Sequence, residues 1–150
     1  MLEIAFDIES QTAPTSWDAA GLKQVKISVL GLHRSDSDTY HAYEEHELAE
    51  VWKLFEQADR IISYNGIHFD IPVMQNYYAG DLSRIPHLDM IVNVKDALGF
   101  RLKLDDLAKA TLKKEKSADG LQAVRWWAEG KVQEIKDYCI QDVKVTRGLY

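Results

Sequence analysis

Five residues of this chain, carried by three short runs, could do chemistry together. Asp7 and Glu9 lie in Phe6-Asp-Ile-Glu-Ser10, Asp70 closes Tyr64-Asn-Gly-Ile-His-Phe-Asp70, and Tyr138 and Asp142 bracket Tyr138-Cys-Ile-Gln-Asp142. Carboxylates dispersed through a chain in this way have one common chemical use: folding gathers them to hold two divalent metal ions. Taken singly, each run has an ordinary explanation. Asp7 and Glu9 could be the water-facing end of a strand, Asp70 a helix N-cap, and Asp142 half of a salt bridge.

The elements that must position them can be read from periodicity. Leu2 to Ile8 alternates strictly and predicts a strand, with Leu2, Ile4, Phe6 and Ile8 on one face and Ala5, Asp7 and Glu9 on the other. Two residues apart on a strand, Asp7 and Glu9 have backbone origins about 6.5–7 Å apart, so both can reach one ion. Asp70 follows a short apolar strand, Arg60 to Tyr64, and an Asn65-Gly66 turn signal, and opens a helical pattern from Phe69 to Tyr78. Tyr138 and Asp142 are four apart on a helix predicted over 132–150, beside a core-facing stripe of Val132, Ile135, Cys139, Val143 and Thr146. Asp142 thus falls at the edge of a buried face, where a carboxylate without compensation is costly.

The rest of the chain completes an α/β pattern. Gln11 to Lys23 reads as a loop, Val25 to Leu32 as a second strand, Arg34 to Asp38 as a polar turn and Thr39 to Tyr43 as a third strand. Glu47 to Ala58 has helical spacing, His87 to Val92 reads as a fifth strand, and Lys103 to Leu112 and Leu121 to Ala128 as helices. This order implies a mixed five-stranded sheet flanked by helices. A length of 150 residues suits one domain over 1–150.

Composition narrows the class. With 46% apolar and 28% charged residues the chain is expected to be soluble and globular. It has no apolar run long enough to span a membrane and no basic-then-apolar leader pattern, which points to the cytoplasm. Cys139 is the single cysteine, which excludes an internal disulfide and argues against a cysteine-based zinc site. The formal net charge of −6 is unusual for a chain that grips phosphates. Two bound dications would bring it to about −2 and supply much of the attraction themselves. A weak, local grip on substrate follows, with room for a protein partner that delivers it.

Together the three runs, Asp-x-Glu, Asn-x3-Phe-Asp and Tyr-x3-Asp in that order, resemble the DEDD superfamily of 3′-5′ exonucleases, which have an RNase H-like fold. The tyrosine points to the tyrosine (DEDDy) branch, and the wording is most similar to the proofreading domains of B-family DNA polymerases. The resemblance spans Phe6 to Asp142; Ser10 stands where relatives often have Thr, and no polymerase domain accompanies it. It implies that Asp7, Glu9 and Asp142 hold one metal, which activates the attacking water, and that Asp7 and Asp70 hold a second, which stabilises the leaving 3′ oxygen. Tyr138 would orient the water, since a phenol of pKa about 10 is a poor base at neutral pH. Asn65 and Phe69 would contact the terminal nucleotide. A donor set of hard oxygens without His or Cys suits Mg2+ or Mn2+ better than Zn2+. The implied activity is release of nucleoside 5′-monophosphates from 3′ ends of single-stranded nucleic acid, DNA before RNA. A non-catalytic binding module on the same fold and a structure-specific endonuclease are the rivals.

Other residues speak more softly. Asp89 reads as a supporting or capping acid rather than a ligand, and His68 as an exposed loop residue. Trp126 and Trp127 are adjacent on a helix, so at most one can face a groove. Lys109, Lys113, Lys114 and Lys116 form a basic stretch that is either a solvated helix end or a guide for a phosphate backbone.

Overall fold

β1 (Glu3–Ser10) is the strand around which the rest is arranged. It runs antiparallel to β2 (Ile27–Arg34), which pairs antiparallel with β3 (Thr39–Glu44). On its other side it runs parallel to β4 (Arg60–Ser63), which pairs parallel with β5 (His87–Asp89), giving the order β3-β2-β1-β4-β5. This is the mixed five-stranded α/β sheet expected. The computed structural model describes residues 1–92 and 120–150. The helix expected over Lys103 to Leu112 and the lysine stretch from Lys109 to Lys116 lie outside the described residues.

The alternation of β1 sorts the core into two layers. Ile4, Phe6 and Ile8 are buried with Val51, Trp52 and Phe55 of α2 (Leu48–Gln57) and with Val73 and Met74 of α3 (Asp70–Met74). Ala5, facing the other way, is buried with Ile62 and with Val143 of α5 (Val132–Leu149). Val29, Ile135 and Cys139 extend that second layer, with Trp126 and Trp127 of α4 (Gly120–Ala128) packed on it. Asp7 and Glu9 continue the Ala5 row, so they lie on the face that α5 crosses.

Several boundaries differ from those expected, each for a physical reason. The loop after β1 contains a one-turn helix, α1 (Ala19–Leu22), because Asp18 caps it by accepting from the Gly21 N–H at 2.9 Å. β2 begins and ends two residues later than expected, at Ile27 and Arg34, and β3 runs one residue further, to Glu44. α3 stops at Met74 rather than continuing to Tyr78. Beyond it the Asn76 and Tyr77 N–H groups turn to the carbonyls three residues back. The Tyr77 hydroxyl is drawn away to Glu45 (2.6 Å) and to the Ile27 N–H (2.9 Å). β5 ends at Asp89, not Val92, and residues 90–92 are helical, since the Asp89 carboxylate takes the Ile91 N–H at 3.1 Å. Gly130, with φ +73°, closes α4 and lets the chain turn into α5.

Candidate metal centre

The β1–β4 ladder ends at the pair Ala5–Ile62, and beyond it the two strands separate. Into that opening comes Asp70, the first residue of α3, whose carboxylate accepts the Ile8 N–H that the ladder no longer uses. Asp7 and Glu9 stand on the same stretch of β1, and a register irregularity directly after Glu9 ends the regular pairing with β2. From above, α5 presents Tyr138 and Asp142 one turn apart. Asp142 lies close enough to Asp7 for the two carboxyl groups to act on each other. The carboxyl ends of parallel strands are where open α/β sheets place their ligands.

Four carboxylates thus converge where water is scarce. Glu9, Asp70 and Asp142 are each at most 6% exposed. Burial holds the Asp7 carboxyl far above the usual carboxylate range, and the charges of Asp142, Glu9 and Asp70 push it further. Burial likewise raises Asp70 to about 8, with Asp89 and Asp142 adding to the rise and the Ile8 hydrogen bond opposing it. Among the described residues no lysine or arginine makes a salt bridge with Asp7 or Asp70. The Oδ2 atom of Asp70 is buried without a hydrogen-bond partner. Mutually repelling acids, and an acceptor with nothing to accept, are what a cation would relieve. The residues present therefore fit a divalent metal.

The second run is held by residues that sequence reasoning left in supporting roles or missed. Asp89 accepts the N–H groups of Asn65 (2.7 Å) and Ile67 (3.2 Å), the supporting role expected of it, while its charge also bears on Asp70. Ser63 hydrogen-bonds His87 at 2.7 Å and takes the Gly66 N–H at 3.1 Å. Asn65 adopts φ +65°, and its Oδ1 is buried without a partner. Phe69 is half-buried against the core and meets the ring of Trp17 at 5.5 Å between centroids. Trp17 itself is 71% exposed. It was passed over because it sits in an apparently structureless loop; a lone tryptophan in a polar segment was the available signal. His68 is exposed, as expected.

Gly31 and Cys139 complete the centre. Gly31 is paired with Asp7 across β1 and β2, and a Cβ there would stand 3.0 Å from the Cys139 sulfur and 3.4 Å from Val143. The missing side chain lets α5 lie close over Asp7. The Cys139 thiol donates to the Asp7 carbonyl at 3.4 Å, and burial, followed by the charges of Asp7, Glu9 and Asp142, raises its pKa well above the ordinary thiol range. A cavity of about 440 Å3 lies elsewhere, at the opposite end of β1, lined by Glu3, Ala5, His33, Asp38, Arg147 and Tyr150. There His33 pairs with Asp38 at 2.8 Å and Asp38 with Arg147 at 3.4 Å.

With the fold and its acids described, likeness to known proteins can be judged. A family model of the RNase H superfamily matches residues 4–150. The chain belongs to the RNase H superfamily. This RNase H-like chain also superposes on the family B DNA polymerase from the hyperthermophilic archaeon Pyrobaculum calidifontis, with a TM-score of 0.76 at 16% identity. The match covers 99% of this chain and 24% of the polymerase, so the chain spans about a quarter of that protein's length. At that identity the likeness speaks for the fold. No curated protein sequence matches. No helix among the described residues is long and apolar enough to cross a membrane.

Proposed function

We propose that this RNase H-like chain is a metal-dependent nuclease, and specifically a 3′-5′ exonuclease of the tyrosine branch acting on single-stranded 3′ ends. The observation that carries the reading is the buried acid cluster, in which Asp7 feels Asp142, Glu9 and Asp70 at once. Superfamily membership and the fold shared with a DNA polymerase support it.

In this reading Asp7, Glu9 and Asp142 hold one Mg2+ or Mn2+ ion, and Asp7 and Asp70 a second. When bound, the two ions supply a nucleophile at neutral pH and stabilise the departing 3′ oxygen in an in-line displacement at phosphorus. The chain's own residues do the positioning. Tyr138, buried one helical turn before Asp142 and edge-on to Trp126, offers its hydroxyl to orient the attacking water. Asn65 has a buried amide oxygen to spend on the terminal nucleotide, and Phe69, with the exposed ring of Trp17 against it, offers a face for a base. DNA is preferred to RNA on the wording of the motifs. A protein partner that delivers the substrate fits the formal net charge of −6.

The test is a time course on end-labelled linear and circular DNA and RNA with Mg2+ or Mn2+. Stepwise release of nucleoside 5′-monophosphates from linear single strands, with circles intact, is expected. Asp7→Ala should bring hydrolysis to background while retaining the wild-type circular dichroism spectrum. Cleavage of circles would make the chain an endonuclease, and wild-type turnover by Asp7→Ala would overturn the site itself.

A further inference from the structure

Sequence reasoning set Cys139 aside and counted the donors as oxygens alone. The fold puts sulfur among them. One oxygen each from Asp7 and Glu9 and the Cys139 Sγ lie within 4.8 Å of one another, and Sγ is 4.0 Å from the Asp7 Oδ2. When one cation bonds a thiolate at about 2.3 Å and a carboxylate at about 2.1 Å in tetrahedral geometry, sulfur and oxygen stand about 3.5 Å apart. The observed spacing needs closing by about half an ångström to reach that. Gly31 is what permits the approach, since its bare Cα leaves the sulfur room directly above the Asp7 pairing. The Oδ2 of Asp70, a residue 4% exposed whose charge bears on Asp7, is buried without a hydrogen-bond partner and points independently to a place built for positive charge.

We propose that Asp7, Glu9 and Cys139 form a mixed oxygen–sulfur site for a borderline or soft divalent cation of the Zn2+ class, overlapping the place that a hard ion takes at Asp7 and Glu9. This rests on the reading of those two acids as metal ligands. Hard Mg2+ has little affinity for sulfur and leaves the thiol as it is, hydrogen-bonded to the Asp7 carbonyl. A softer ion exchanges the S–H bond for a sulfur–metal bond, and the thiol proton leaves to solvent. The sulfur, which lies between Tyr138 and Asp142 on α5, would then take a place around the ion that a hard cation fills with oxygen. Zn2+ therefore competes with the activating ion and holds the protein in an inactive state. Cys139 is a specificity-determining residue for the cation rather than a catalytic one.

The readout is spectroscopic, and it is unambiguous because the chain holds no other cysteine. Metal-free protein is titrated with Co2+, and binding is followed in parallel by calorimetry. The expected result is a saturable thiolate-to-cobalt charge-transfer band in the near ultraviolet, removed by Zn2+ and not by an equal amount of Mg2+. Cys139→Ser and Cys139→Ala should lose the band and bind Zn2+ about tenfold more weakly. Circular dichroism and Mn2+ binding by electron paramagnetic resonance show that each variant is folded with its acids in place. Co2+ that binds the wild-type chain without the band, or equal Zn2+ affinity in wild type and both variants, overturns the mixed site and leaves the nuclease reading standing. A wild-type chain that binds no divalent ion at all removes both.

Discussion

At the scale of single residues, the acid cluster is a stability liability that a bound cation would relieve. A carboxyl whose pKa is raised on folding binds more protons in the native state than in the unfolded chain. For Asp70 this holds between about 4, its unfolded value, and about 8, its folded one. Stability conferred by that proton is fully present below pH 4 and is lost as pH rises through 8. Asp7, raised by burial and by its three acidic neighbours, acts in the same direction. Metal-free protein should therefore melt at a lower temperature at pH 8 than at pH 5, and Mn2+ should raise the melting temperature far more at pH 8. Asp70→Asn should raise the metal-free melting temperature at pH 8 and lose most of the response to Mn2+. Thermal melts of both proteins in chelator and in Mn2+ decide it. A metal-free wild type equally stable at both pH values would mean that the acids are not crowded as described.

Tyr138 belongs to the same scale. If the hydroxyl orients water and does not take its proton, Tyr138→Phe should lower kcat by about 10²-fold, the size of effect expected from misplacing a reactant by an ångström. KM should hardly change, and the pH–rate profile should keep its shape. A profile that lost its rise with pH would instead make the phenol the base that takes the proton.

At the scale of elements, what was legible before folding and what was not divides along physical lines. β1 was readable because strict alternation is a local property, and it already placed Asp7 and Glu9 on the face opposite Phe6. α5 was readable because Ile135, Cys139, Val143 and Thr146 repeat at helical spacing, and all four are buried. The early end of α3 was not, because it depends on the Tyr77 hydroxyl finding Glu45 and Ile27 from distant parts of the chain. Nor was the end of β5, where one carboxylate, Asp89, changes a strand into a helix start while bracing Asn65 and Ile67. Gly31 was silent for a related reason: a glycine inside a strand shows what it makes room for only once the helix lies over it. Gly31→Ala tests that role. A methyl 3.0 Å from the Cys139 sulfur must push α5 outward, with about 1–3 kcal/mol of destabilisation from overpacking. Because the same helix carries Tyr138 and Asp142, kcat should fall further than stability alone explains, and Mn2+ affinity with it. Retention of wild-type kcat at a temperature where the variant is fully folded would show that the close approach of α5 does not set the site.

At the scale of the whole molecule, the question is how a chain of formal charge −6 holds a polyanion. Two sources of positive charge are available, and they make different quantitative claims. One is the pair of metal ions proposed for the acid cluster, which would meet one or two phosphates at the scissile bond. The other is the stretch Lys109, Lys113, Lys114 and Lys116, which lies outside the described residues. For single strands, log K falls with log salt by about 0.7 for each phosphate neutralised by a basic side chain. Contact through the metals with little help from lysine gives a slope no steeper than about −1.4, whereas four engaged lysines add about −2.8. The metal reading also requires that chelation abolish most of the affinity. Anisotropy of a 5′-labelled single-stranded oligonucleotide with a phosphorothioate at its 3′ bond, titrated in Ca2+ and in chelator across a range of salt, measures both quantities. We expect a shallow slope and at least a tenfold loss of affinity on chelation, which is the behaviour of a chain that grips its substrate at the reacting phosphate and depends on another protein to bring it there. A slope near −3 that survives chelation would move the grip to the lysines and would remove the reason for a delivering partner.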